Sequence, residues 1–374
     1  MLSASRYPGV DIPFVADQIE ARKRAREKLP AWYNERGIVY PSRLAVEQCS
    51  SEQTAGYKRA LAVGETLCDL TGGLGVDAWS FSRAMKEVLY VERLPAYCEA
   101  ARHNFTVLGA GNIRVICGEA GDRLPEISAD TIYLDPARRA AGNRRVFALA
   151  DSEPDLLQLK PLLLKAARRV IVKISPMADL SETVRLLPET GEIHLLSVRN
   201  ECKELLFVLG HSPRPEAITI HAVNFTSSGK EQHNSFLMQE ERESIPFWAE
   251  RVEEYLYEPH ASLLKAGAFK WVSSSFQLKK LHPHSHLYTA DRYLPDFPGR
   301  VFVVEEQGDF SGRQLKQIAR RYPKANITTR NFNLTAAELR RKSGITEGGE
   351  CYLFATTLSP GIAKLLLCRK AIRV

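Results

Sequence analysis

The chain has 374 residues, 44% of them hydrophobic and 25% charged, with a formal net charge of +7 and a pI of about 9.0. That composition is ordinary for a soluble globular protein of two or three domains, and no apolar run reaches membrane-spanning length. The seven cysteines are scattered and form no C-x-x-C pair, which argues against a zinc ribbon and a disulfide framework and for the reducing cytoplasm.

Residues 1–60 read as an N-terminal helical region. Gln18 to Leu29 is a charged helix ended by Pro30, and Ser50 or Ser51 caps a helix running to Leu61. That helix leads straight into the next strand, so Gln48, Ser51 and Lys58 could cover a ligand bound there. Over 61–210 short apolar runs alternate with helical segments. Thr66–Leu70, Val88–Val91, Ile113–Cys117, Thr131–Leu134 and Val170–Ile174 read as strands of a doubly wound sheet. Ile193–Val198 and Leu205–Leu209 leave no room for a helix between them and should form an antiparallel hairpin.

A boundary falls at His211-Ser212-Pro213-Arg214-Pro215. Beyond it come a strand at Ala217–Val223, a strand at Arg300–Glu305 and an amphipathic basic helix over Gly312–Arg321. A strand at Asn326–Arg330, a short basic helix over Thr335–Lys342, a strand at Cys351–Thr356 and a final helix from Pro360 toward Lys370 complete the chain. The expected fold class is α/β: a Rossmann-like, seven-stranded, mostly parallel sheet with an antiparallel terminal hairpin, plus N-terminal helices and a C-terminal α+β region.

Three motifs sit at strand ends. Asp69-Leu70-Thr71-Gly72-Gly73-Leu74-Gly75-Val76-Asp77 closes the first strand. Gly72, Gly73 and Gly75 permit a tight turn and close backbone approach to a ligand, and the NH groups of the following helix would favour a carboxylate. The spacing is neither G-x-G-x-x-G nor a P-loop. Glu92 ends the second strand, where an acid can accept hydrogen bonds from both ribose hydroxyls. Glu119 or Asp122, after the third strand, could meet an adenine amino group; Glu119 is nearer the strand end. Asp135-Pro136 ends the fourth. Together they read as an S-adenosylmethionine (SAM) site. The cofactor-binding set is Asp69, Thr71, Gly72, Gly73, Gly75, Asp77, Glu92 and Glu119.

These residues, with Gln48–Lys58, His103-Asn104-Phe105, Asp135–Arg139, Lys173-Ile174-Ser175-Pro176, Glu258–Gly267 and Leu334–Lys342, resemble class I SAM-dependent methyltransferases. More narrowly they resemble a bacterial group with a THUMP-like C-terminus. The resemblance implies a methyltransferase domain over 61–210, a small ferredoxin-like α+β module over 211–285 and a THUMP-like domain over 286–374. Related THUMP domains bind RNA, so it also implies an RNA partner and substrate, ribosomal or transfer RNA. In related amino-methyltransferases an Asp/Asn-Pro-Pro-aromatic motif holds the target nitrogen. Here Asp135 and Pro136 match, while Ala137 and Arg138 depart from it.

The expected catalytic residues are Asp135, which orients the nucleophile, Pro136 and Arg138, whose guanidinium either stacks on a base or holds a phosphate. No cysteine follows Asp135-Pro136 to serve a pyrimidine C5 route. Tyr133 and Lys173 read as packing or salt-bridge residues, and His282, His284 and His286 as surface residues rather than a metal site. Basic clusters supply the candidate RNA contacts Arg139, Arg144, Arg145, Arg320, Arg321, Arg340 and Arg341; another lies at Arg22–Lys28. The alternatives are a methyltransferase of protein or small molecules and a vestigial SAM fold that binds RNA. No membrane contact is expected, and the sequence carries no signal for an oligomeric state.

Overall fold

The computed structural model describes residues 9–138, 152–210 and 217–371. The chain divides into two compact units, one of residues 1–193 and 204–215, the other of 194–203 and 216–374. Among the described residues no helix is long and apolar enough to cross a membrane.

The first unit opens with α1 (Ile12–Lys28), α2 (Pro30–Asn34), α3 (Arg43–Gln48) and α4 (Glu52–Leu61). Asp11 caps α1 by accepting from the Phe14 amide at 3.0 Å, and Ser51 caps α4 by accepting from Thr54 at 3.1 Å. Ala21, Ala25, Leu29, Trp32, Tyr40 and Val46 share one buried cluster with Leu74 and Val76. These helices therefore pack directly on the glycine turn, and burying that cluster is part of what holds the turn in place.

The strands follow as β1 (Thr66–Asp69), β2 (Glu87–Glu92), β3 (Ile113–Cys117), β4 (Ala129–Leu134), β5 (Ala137–Arg138), β6 (Ser152–Glu153), β7 (Ala167–Ile174), β8 (Thr190–Val198) and β9 (Glu201–Gly210). Between them lie α5 (Val76–Ser82), α6 (Pro95–Val107), α7 (Ala120–Arg123), α8 (Leu156–Ala166) and α9 (Leu180–Leu186). The order across the sheet is β8-β9-β7-β4-β1-β2-β3. β3, β2, β1, β4 and β7 run parallel, and β9 is antiparallel to β7. These seven strands make the mostly parallel sheet with an antiparallel hairpin that the alternation of apolar runs implies, and two further strands beyond β8 bring the sheet to nine. β5 and β6 pair with each other, Ala137 opposite Glu153 and Arg138 opposite Ser152. The carboxyl ends of β1, β2, β4 and β7 lie together, which is where open α/β sheets hold ligands.

The second unit takes the hairpin tip His194–Lys203, where β8 is followed in the sheet by β10 (Thr219–Phe225) and β11 (Glu231–Leu237). After α10 (Met238–Glu243) come β12 (Phe247–Trp248), β13 (Tyr255–Pro259), α11 (Ala261–Ala266), α12 (Phe269–Phe276), β14 (Lys279–Lys280), β15 (Tyr288–Ala290), β16 (Gly299–Asp309), α13 (Gly312–Arg321), β17 (Asn326–Arg330), α14 (Ala336–Ser343), β18 (Cys351–Leu358) and β19 (Ile362–Lys370). Their sheet runs β12-β14-β15-β13-β16-β19-β18-β17. Helices α13 and α14 set Leu315, Ile318 and Leu339 into one cluster with Leu353, Leu365 and Leu367.

The expected helix from Pro360 to Lys370 is instead strand β19, antiparallel to both β16 and β18. Its run Leu365-Leu366-Leu367-Cys368 is almost fully buried. An interior strand covered on both faces has no alternation to show, and periodicity cannot tell it from a helix.

Candidate active site

Asp69 ends β1 and is 1% exposed. Its Oδ1 accepts from the Thr71 amide at 3.1 Å, while Oδ2 is buried without a partner. Burial, and then the nearby Asp77 carboxylate, push its pKa well above the usual range. The turn beyond it is built for glycine. A Cβ on Gly72 would lie 2.1 Å from Tyr90 Cε2, and the Gly72 amide donates to Val91 O at 2.9 Å. Gly75 caps α5 at φ 91°, where a Cβ would also lie 2.8 Å from Phe105 Cζ. A Cβ on Gly73, at φ 55°, would have only Thr71 O within 4 Å, at 3.8 Å.

Glu92, at the end of β2, is fastened onto this turn. Its Oε2 accepts from the Gly73 amide and its Oε1 from the Leu94 amide, both at 2.9 Å. Each oxygen keeps a further lone pair. The Gly118 amide donates to Glu92 O at 3.0 Å, so the end of β3 is tied to the end of β2. Glu119 follows as an exposed residue at the start of α7; Asp122, its alternative for the adenine contact, is exposed too.

Asp135 follows β4. Its amide donates to Thr71 Oγ1 at 2.6 Å, which links the glycine turn to the Asp135-Pro136 motif. Its carboxylate forms an ion pair with Lys173 at the end of β7. Burial works to lower the Lys173 pKa, but Asp135, then Glu204 and Asp77, hold it above the ordinary lysine value. Pro136 is half-buried. The Arg138 side chain and all of Arg139, Arg144 and Arg145 lie outside the described residues.

Beneath these groups sits a buried polar cluster. Lys58, from α4, is 0% exposed. Its Nζ lies 2.9 Å from Asp77 Oδ1 and 3.3 Å from Glu204 Oε2, donates to Ser50 Oγ, and reaches Tyr133 OH at 3.4 Å. Ser50 Oγ and Tyr133 OH donate to Asp77 Oδ2 at 2.8 and 3.0 Å. The Asp77 carboxylate is thus engaged on both oxygens inside the protein. Burial raises its pKa, but Lys58 and then Lys173 more than offset this and hold it below the usual value. Among the cofactor-set residues Asp77 therefore faces the interior network.

Lys58 carries this cluster as a structural cation rather than as a lid. Glu204, four residues past the Arg199-Asn200 turn, entered none of the expected site sets. The available signal was its place at the head of the apolar run Leu205–Leu209. Tyr133 and Lys173 are polar residues spaced along buried strands, and both prove to touch site carboxylates.

In the second unit the basic residues lie on helices over a sheet. Arg321 pairs with Glu306 at 2.6 Å and Arg340 with Glu347 at 3.0 Å. Arg313, Lys316, Arg320, Arg341 and Lys342 are exposed.

A family model described as a ferredoxin-like domain matches residues 255–298, and one described as THUMP domain-like matches residues 299–370. A solved structure of a candidate methyltransferase from Porphyromonas gingivalis W83 is 41% identical, with a TM-score of 0.90, over 97% of this chain and 93% of that one. Curated proteins from Enterococcus faecalis (strain ATCC 700802 / V583) and Staphylococcus aureus (strain COL), both named uncharacterized RNA methyltransferases, are each 24% identical over 36% and 41% of this chain. The chain spans about a third of the length of these two curated relatives, 31% and 37%.

Proposed function

The chain belongs to the methyltransferase family of the Porphyromonas gingivalis protein, and from that premise we propose that it transfers a methyl group from SAM to ribosomal or transfer RNA in the cytoplasm. The observation that carries the reading is the meeting of Asp69, the glycine turn, Glu92 and Asp135 at adjoining strand ends, with Thr71 bonded to the Asp135 amide.

The residues fit the cofactor. The unpartnered, buried Asp69 Oδ2 is an acceptor awaiting a cationic donor, and the ammonium of SAM is one. Glu92 retains lone pairs for the two ribose hydroxyls, and Glu119 stands next along the edge for the adenine amino group. Gly73, whose absent Cβ would have only Thr71 O within 4 Å, at 3.8 Å, lets the ligand approach the backbone. SAM when bound supplies an electrophilic methyl on a sulfonium; the protein has only to align the nucleophile and take up its proton. Asp135 accepts a hydrogen bond from that nucleophile, so that its lone pair faces the methyl. Lys173 fixes the carboxylate from behind, and Pro136 limits the backbone that follows it.

RNA as the substrate is supported by the THUMP-like segment, the basic helix faces and the names of the curated relatives. The test is transfer of labelled methyl groups from SAM into RNA and protein fractions of a strain lacking this protein. Label enters RNA with the intact protein and not with Asp135→Ala, which still binds SAM. Label confined to protein would replace the RNA reading, and unchanged turnover by Asp135→Ala would remove the role given to that residue.

A further inference from the structure

In the second unit, a histidine-bearing turn meets the end of β17. The turn is His282-Pro283-His284-Ser285-His286, between β14 and β15. His282 Nδ1 accepts from the His284 amide at 3.1 Å, and the two ring centroids are 5.5 Å apart. The Asn331 carboxamide, just past β17, lies 2.8 Å from the same Nδ1. His282 is therefore held with its proton on Nε2, which leaves that nitrogen a donor. His286 stacks on Phe269 with centroids 3.6 Å apart, and its Nδ1 is buried without a hydrogen-bond partner. His286 and Asn331 are non-glycine residues at φ 53° and 48°, a conformation that costs energy and clusters at functional positions.

The charge around this turn is positive. Lys280 is 2% exposed; its Nζ donates to His282 O and Pro283 O at 2.8 and 2.6 Å and lies 5.8 Å from the Phe269 ring centre. Burial pulls its pKa down to about 8. Arg330 ends β17 and pairs with Glu258 at 2.8 Å, but Glu258 is shared with Arg300. Glu241, whose charge also acts on Lys280, accepts from the Lys270 and Trp271 amides at 3.0 and 2.7 Å. Both carboxylates are thus already engaged, and the turn keeps an excess of positive charge.

We propose that His282, His284, Arg330 and Asn331 hold a backbone phosphate of the RNA substrate. His282 Nε2, the Asn331 carboxamide and the Arg330 N–H groups that Glu258 leaves free supply donors to the phosphate oxygens. Contacts of this kind position a strand without reading its bases. His284 and Asn331 are exposed, and His282 and Arg330 half-buried, so a polymer can cross the site while buried Lys280 acts through its charge alone. The turn belongs to the ferredoxin-like segment and Arg330-Asn331 to the THUMP-like one, so one phosphate engages both. The inference rests on the RNA reading and adds to it a contact on the second unit.

The test is fluorescence anisotropy of labelled transfer RNA and ribosomal RNA fragments with the full-length protein. The wild type is set beside His284→Glu, His284→Lys and, as a control of equal charge change on the β10–β11 turn, Ser227→Glu. His284→Glu should bind RNA about tenfold more weakly, as for the loss of a charge-assisted contact. Its slope of log affinity against log salt should shrink by about 0.7, one phosphate of a single strand. His284→Lys should bind as tightly as the wild type or more so, and Ser227→Glu should behave as the wild type. Circular dichroism melts show that each variant is folded. Wild-type affinity in folded His284→Glu, or an equal loss in Ser227→Glu, would overturn the site and leave the RNA reading standing. No RNA binding by the wild type would overturn both. Displacement of the RNA by polyglutamate as readily as by unlabelled RNA would overturn the assignment to phosphate.

Discussion

Asp69 and Asp77 are both buried acids, yet their environments push them in opposite directions. Asp77 has Lys58, Ser50 and Tyr133, and its folded pKa lies below the unfolded value. Its contribution to stability is present above the unfolded pKa, about 3.9, and is lost as pH falls through the folded one. Asp69 has a backbone amide on one oxygen and nothing on the other, and its folded pKa is raised. Its contribution is complete below about pH 3.9 and is lost as pH rises through the folded value. Asp69→Asn should therefore stabilise the ligand-free protein at pH 7 and leave the urea midpoint nearly unchanged at pH 4, while weakening SAM binding at least tenfold. A midpoint shift equal at both pH values would rule out charge burial as the cause. Removing Lys58 is the converse case. Lys58→Met strands Asp77 and Glu204 without their cation, and losing one partner of a buried pair costs about 3–5 kcal/mol. Urea unfolding reads that loss, and Lys58→Met/Glu204→Gln should recover part of it. No recovery would show that the two side chains are not coupled.

At the scale of elements, the glycine turn works because β2 presses Tyr90 into it. Gly72→Ala would set a Cβ 2.1 Å from the Tyr90 ring, so the ring or the turn must move, a clash of about 1–3 kcal/mol. Shortening the ring by Tyr90→Leu in the same chain should restore part of the urea midpoint, although the bond from Tyr90 OH to Gly73 O is lost. Wild-type stability in Gly72→Ala alone would contradict the packing. The turn and the parallel strands were legible in the sequence because each signal is local: an apolar run, then glycines or an acid at its end. α13, from Gly312 to Arg321, matches its expectation for the same reason, with Ser311 as cap and Leu315 and Ile318 on the buried face. β19 was not legible, since burial on both faces erases alternation. β11 was not either, because Glu231-Gln232-His233-Asn234-Ser235 carries no apolar pattern and is recruited by its partner β10. The Lys58–Glu204 contact spans 146 residues, and no sequence window contains it.

For the molecule as a whole, the excess positive charge is a statement about partners more than about folding. Its placement sharpens that statement. Arg321 and Arg340 are paired with Glu306 and Glu347, so their charge is partly neutralised within the second unit. Arg313, Lys316, Arg320, Arg341 and Lys342 stand exposed on α13 and α14 outside those pairs, over a core formed by Leu315, Ile318, Leu339 and the sheet. Substituting these five by Gln leaves the packed faces intact and should leave the melting temperature nearly unchanged, since surface changes away from packed features stay within about 0.5 kcal/mol. If the helices bind phosphates, RNA affinity should fall at least tenfold at moderate salt. The slope of log affinity against log salt should also shrink by about 0.7 for each phosphate of a single strand that is no longer neutralised. SAM affinity, which the proposed site assigns to Asp69 and Glu92 in the first unit, should not change. A weaker affinity with an unchanged slope would mean that the substitutions act through shape and not charge. An unchanged affinity would move the RNA-binding surface off these helices and onto the arginines that follow Asp135-Pro136, where Arg144→Gln/Arg145→Gln should then reduce the slope instead.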